Sequence, residues 1–164
     1  MRNYKSEYQW AVIQIDRILV ANHLGPVEIN SVAEIGSRDA LDGIYLSKIY
    51  SAHTYVFEPD PSNADICRIN IDRFGSSDIS FYELALLDKD EAIEFYSVDK
   101  ALYDNNGAGG LFKINFHHRF KGDPDYKRGP VQRRITVAGA RFDTLGIPPP
   151  ISLLWTFRAQ SSWF

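Results

Sequence analysis

The residues of this chain best suited to chemistry are two glutamates and one glycine. Glu34 and Gly36 lie in Ser31-Val32-Ala33-Glu34-Ile35-Gly36-Ser37-Arg38-Asp39, and Glu58 lies in Tyr55-Val56-Phe57-Glu58-Pro59. Each glutamate closes a short β-branched or aromatic run, which reads as a buried strand. Gly36 falls where the first strand must turn sharply into a helix. A residue without Cβ suits that turn and lets a ligand approach the backbone. The helix that follows aims its first N–H groups at the turn, which suits a polar or anionic ligand group. An acid at the end of the second strand of a βαβ unit accepts hydrogen bonds from both ribose hydroxyls of a nucleoside. Glycine turn and ribose acid together make a nucleoside site.

The glycine spacing narrows the nucleoside. A dinucleotide site needs G-x-G-x-x-G so that backbone can cradle a diphosphate. Here Gly36 alone falls in the turn, and the next glycine is Gly43. A nicotinamide dinucleotide is therefore disfavoured. S-adenosylmethionine carries no phosphate, and Glu34 suits its ammonium group.

Three stretches carry a family resemblance. They are Val32-Ala33-Glu34-Ile35-Gly36-Ser37-Arg38-Asp39-Ala40-Leu41-Asp42, then Val56-Phe57-Glu58-Pro59-Asp60-Pro61, then Arg141-Phe142-Asp143-Thr144-Leu145. Together they resemble the FkbM-like methyltransferases, over roughly residues 30–155. The resemblance implies an α/β fold of the Rossmann-like class I methyltransferase type, with a central, mostly parallel sheet. It implies S-adenosylmethionine as cofactor and methylation of a hydroxyl on a sugar, glycan or small secondary metabolite. Glu34, Gly36, Ser37, Arg38 and Asp39 would surround the methionine portion, and Glu58 and Pro59 the ribose. Arg38 has two other readings, as a structural tie to Glu34 or as a helix-face residue. No residue is marked as a general base, and Asp143 reads as a helix cap at Thr144.

Composition is compatible with that reading. The chain has 164 residues, 45% hydrophobic and 24% charged, which suits a single domain with its own core. A net charge of −3 makes no electrostatic case for nucleic acid or an anionic membrane. The single cysteine, Cys67, excludes an internal disulfide. No apolar run approaches the ~20 residues of a membrane span, and no signal-peptide core opens the chain. The expectation is a cytoplasmic protein.

The remaining elements must position the two acids. Residues 1–26 read as a helical flank, with an amphipathic helix over about 8–23. A domain over 27–164 follows. Asp39 to Ser51 should be helical. Asp60-Pro61 caps a second helix running to about Arg73, with Cys67 in its buried stripe. The alternating run Ile79 to Leu86 reads as one third strand, with Ala85 and Leu86 at its carboxyl end beside adenine. Ala92–Val98 and Val131–Val137 read as added strands, and Ile151–Trp155 as a fourth core strand. Tyr103–Gly110 is a loop. His117, His118 and Lys121 fall among turn residues, and the two histidines lack the spacing of a metal site.

The family pattern breaks after Trp155. There the family continues with an acid and a Gly-Ala-Glu helix start. This chain has Thr156-Phe157-Arg158-Ala159-Gln160-Ser161-Ser162-Trp163-Phe164 instead. Read one base earlier, codons for that tail can spell Asp-Phe-Gln-Gly-Ala-Glu-Leu-Leu-Val. The expectation is a one-base shift at the Trp155 codon, an out-of-frame tail over about 156–164, and a sheet incomplete at the C-terminus. Such a chain is either a truncated methyltransferase or its non-catalytic remnant.

Overall fold

The computed structural model describes residue 17, residues 29–102, 109–114 and 131–148, and the backbone of 152–155. The expected helix over 8–23, most of the 103–110 loop, the segment with His117, His118 and Lys121, and the 156–164 tail lie outside the described residues.

The core is a four-stranded parallel sheet in the order β3-β2-β1-β7. Its strands are β1 (Ser31–Ile35), β2 (His53–Phe57), β3 (Ile79–Tyr82) and β7 (Ser152–Trp155). Helix α1 (Leu41–Tyr50) joins β1 to β2, and α2 (Pro61–Phe74) joins β2 to β3. Parallel neighbours need such crossovers because a tight hairpin cannot return the chain in the same direction. β1 pairs with β2 on one side, Ile35 opposite Phe57. On the other side it pairs with β7, Ile35 opposite Trp155. The switch in strand order therefore falls at β1, as in a Rossmann-like sheet.

Both helices form for local reasons. Asp60 accepts the Ser62 N–H at 3.0 Å as N-cap of α2, and Pro61 takes the first helical position. Val56, Ala40, Ile44 and Cys67 form one buried cluster between the helices and the sheet. Ile29, Val32, Leu46 and Ala52 form another. Helix α1 ends on Ser51, a left-handed residue with φ 50° whose N–H bonds the Ser47 carbonyl. Ser51 is exposed, so its side chain packs nothing that a glycine would lose. Ser51→Gly should raise stability by about 1 kcal/mol, read as a rise of about 2–4 °C in Tm.

A second sheet has the order β4-β6-β5. It contains β4 (Ala85–Leu87), β5 (Ala92–Val98) and β6 (Gln132–Arg141). The run 79–86 is thus two strands in two sheets, not one. The reason lies in β2. The Glu58 N–H makes the last ladder bond, to the Tyr82 carbonyl at 3.1 Å, and the next residue, Pro59, has no N–H to give. β3 loses its partner there, Glu83 turns out to an ion pair with Arg68, and Ala85–Leu87 finds β6.

β6 is longer than its alternating stretch, because its last residues serve β4 after β5 has ended. Its small Ala138-Gly139-Ala140 segment reads weakly as a strand yet is required. A Cβ on Gly139 would collide with Leu87 Cδ1 and lie 2.7 Å from the Glu91 carbonyl. Asp143 does not cap a helix at Thr144. It lies within a 3-10 turn, Phe142–Thr144, and pairs with Arg141, while Asp90 accepts the Arg141 N–H and the Thr144 hydroxyl at 2.8 Å each.

Candidate functional site

The turn after β1 is held in an uncommon backbone shape. Gly36, Arg38 and Ala40 all have positive φ, at 74°, 58° and 60°. Glycine adopts that region freely, but each non-glycine residue there costs roughly 1–2 kcal/mol. Strain of this kind persists only where surrounding contacts over-determine it, and it concentrates at ligand sites.

The N–H groups of the turn are already engaged. Those of Gly36 and Ser37 both reach the Phe57 carbonyl, at 2.9 and 3.0 Å. Arg38 donates its N–H to Glu58 Oε2 at 2.8 Å. Asp39 N–H bonds the Ser37 carbonyl at 2.5 Å, and Ala40 N–H bonds the Ser37 hydroxyl at 2.7 Å. The Leu41 N–H bonds Asp39 Oδ1 at 3.3 Å. The Gly43 N–H bonds Glu34 Oε2 at 2.8 Å. The expected open helix N-terminus is therefore filled from within the chain. A diphosphate finds no row of donors from Gly36 to Leu41.

Glu58 sits against this turn, 4% exposed. Its Oε2 takes the Arg38 N–H and its Oε1 the Asp60 N–H at 2.8 Å. An ionised carboxylate has about four acceptor sites, and the Asn63 side chain takes a third, so one remains for a ligand hydroxyl. Burial pushes its pKa up to about 7, a rise that the Asp60 and Arg38 N–H groups and the Asn63 side chain partly offset.

Folding thus takes up a proton at Glu58 between its ordinary value of 4.5 and about 7. Its contribution to stability is full below pH 4.5 and is lost as pH rises to about 7. Glu58's share of the loss should amount to about 3 kcal/mol, read as the difference between wild type and Glu58→Gln in urea titrations at pH 5 and pH 8.

Glu34 is placed differently. It is fully buried under α1, with Oε2 on the Gly43 N–H. Oε1 makes no hydrogen bond among the described residues. Burial first, then the charge of Asp42, holds its pKa well above the usual carboxylate range, while the Ser37 hydroxyl and Gly43 N–H offset part of the rise. Arg38 is not tied to Glu34. Its guanidinium pairs with Asp39 Oδ2 at 2.7 Å.

The structure therefore brings together Gly36, Ser37, Arg38, Asp39, Glu58 and Pro59 at the carboxyl ends of β1 and β2. Glu34 lies behind the turn. Ala85 and Leu86 lie in β4, opposite Gly139 and Ala140, and not at the end of β3. Phe57 stacks on Tyr82 with ring centroids 5.1 Å apart and meets Phe142 at 6.2 Å, so the second sheet reaches the rim of the first.

Comparison with known proteins adds little to this geometry. No family model matches the chain. No curated protein matches it either. One solved structure, a mutant of MtNAS in complex with S-adenosylmethionine, shares 20% identity and has a TM-score of 0.37. The match covers 49% of this chain and 30% of that one. A likeness of that extent says nothing here of ligand or reaction, and the site stands on its own contacts.

Cys67 is buried in α2, and burial, with Glu58 and Glu34 nearby, pushes its thiol up. It is a core residue, not a nucleophile. Among the described residues no group of three or more His, Cys, Asp or Glu is placed to hold a metal ion. No described helix is long and apolar enough to cross a membrane. Sequence reasoning missed two polar residues of α2, Asn63 beside Glu58 and Asn70 on the turn. It also missed the work of Gly43, although a glycine inside a helix signals close approach.

Proposed function

We propose that the chain is an S-adenosylmethionine-dependent methyltransferase of the FkbM-like kind, acting on a hydroxyl of a sugar or small metabolite. One observation carries the reading. Glu58 is bonded across the β1–α1 turn at the switch point of a parallel sheet, and that turn has no donors left for a diphosphate. The arrangement suits a nucleoside without phosphates. Gly36, Ser37, Arg38 and Asp39 would flank the methionine portion, Glu58 would accept from the ribose, and Pro59 adds no N–H of its own to compete for Glu58. Ala85 and Leu86 flank the adenine from the second sheet. Glu34 braces the turn from behind.

When bound, S-adenosylmethionine supplies a methyl group activated on a sulfonium. The chain's own part is to bind and orient. Ionised Glu58 would hold the ribose through a charge-assisted hydrogen bond, and the turn of Gly36, Ser37, Arg38 and Asp39 would orient the methionine portion.

Calorimetric titration with S-adenosylhomocysteine and with NAD tests the reading. Saturable binding of S-adenosylhomocysteine with none of NAD is the expected result. The reverse preference, or no binding of either, removes it. Methyl incorporation across a panel of hydroxylated acceptors then tests the reaction.

A further inference from the structure

We propose that Asn70 is a positioning residue for the cofactor turn, holding the Asp39 carbonyl so that the Arg38 N–H stays on Glu58. The proposal rests on the cofactor reading given above. The Asn70 side-chain amide donates to the Asp39 carbonyl at 2.8 Å, across 31 residues of sequence. It is the counterpart of the Glu58–Arg38 bond, also 2.8 Å, which grips the preceding residue of the same turn.

Asn63, Cys67 and Asn70 recur at i, i+4 and i+7, so they share one face of α2. Asn63 and Cys67 are buried there and Asn70 is half-buried. Asn63 bears on Glu58, and Asn70 on Asp39. A half-buried asparagine is an unfavourable choice inside a helix, since its side chain competes for backbone bonds. Here it has a distant backbone partner in the turn.

The turn needs such a hold. Arg38 and Ala40 are left-handed without being glycine, and they flank Asp39. Released from Asn70, the peptide after Asp39 is free to relax toward ordinary φ, and the Arg38 N–H moves off Glu58. Glu58 then loses a donor that favours its charged form and its capacity to accept a ribose. The other groups facing Glu58 are Asp60 beside it, Asn63 and Cys67 on α2, and the Arg38–Asp39 pair on the turn. None of them substitutes for that N–H.

The test uses the full chain with Asn70→Leu, which keeps the volume and removes the donor. Asn70→Ser, too short to reach Asp39, repeats it should leucine disturb α2. S-adenosylhomocysteine affinity should fall about 3–10-fold at pH 7. Carbon-13 NMR of the ligand-free protein should show the Glu58 carboxyl titrating higher by about half a unit or more. Asn70→Gln, which keeps the amide, should recover part of both effects. A lowered Tm with an unmoved Glu58 titration means that Asn70 is only structural and overturns the proposal. Wild-type protein that fails to bind S-adenosylhomocysteine overturns the cofactor reading instead, and the NMR comparison still decides whether Asn70 acts on Glu58 through the turn.

Discussion

Glu58→Ala should weaken S-adenosylhomocysteine binding at pH 8 by about 1–3 kcal/mol, a factor of roughly 5–150. In the proposed site the carboxylate keeps an acceptor position for the ribose diol, and a methyl group has none. The loss should depend on pH in a stated direction. Glu58 titrates at about 7, so below that pH it is protonated and offers fewer acceptor sites. Wild-type affinity should therefore climb between pH 6 and pH 8 and level off above. Binding should release a proton near pH 7, because the diol favours the ionised acid. The alanine variant should bind weakly and evenly across that range. Glu58→Gln separates charge from shape. It keeps one acceptor, loses the charge, and should fall between the two with no pH dependence. Calorimetry in two buffers of different ionisation enthalpy measures both affinity and proton release. Equal affinity of wild type and Glu58→Ala would remove Glu58 from the site.

The strands that carry the two acids, and the glycine turn after the first of them, were legible because their physics is local. A short β-branched strand, a residue without Cβ and a proline after an acid each state their geometry within a few positions. The alternation of strand and helix argues for parallel pairing of β1, β2 and β3, which the structure shows, while their order is read from the structure alone. What was not legible depends on partners distant in sequence. Ile79 to Leu86 alternates without interruption, and nothing within it announces that Pro59 ends the ladder on its neighbour. Ala138-Gly139-Ala140 has poor strand propensity, and only the close approach of Leu87 explains it. Asn70 reads as a surface residue until Asp39 is seen beside it. Glu34 had the right spacing for a ligand contact, but spacing does not say which way a side chain at the end of β1 faces. It faces α1.

Gly43→Ala should destabilise the protein by about 1–3 kcal/mol, against the direction that helix propensity alone gives. Glycine inside a helix is less favourable than alanine by roughly 0.5–1 kcal/mol, so at an open position the substitution would help. Here α1 lies almost on the sheet. A Cβ at residue 43 would stand 2.6 Å from Glu34 Oε2, 3.0 Å from Val56 Cγ2 and 3.1 Å from Thr54 Cγ2. All three side chains are 0% exposed, so none has open solvent to move into. The helix must lift, and lifting it breaks the Gly43 N–H bond to Glu34, which leaves a buried carboxyl with one partner fewer. A double-variant cycle locates the cause. In a Glu34→Ala background the nearest collision is gone, so the cost of alanine at residue 43 should drop below half of its value in the wild type. The same lift shifts the first residues of α1, which continue the turn that holds Glu58. Gly43→Ala should therefore also weaken S-adenosylhomocysteine binding, although residue 43 touches no ligand. Urea denaturation and calorimetry on the four proteins of the cycle measure both effects. Equal costs in the two backgrounds would place the strain elsewhere than at Glu34.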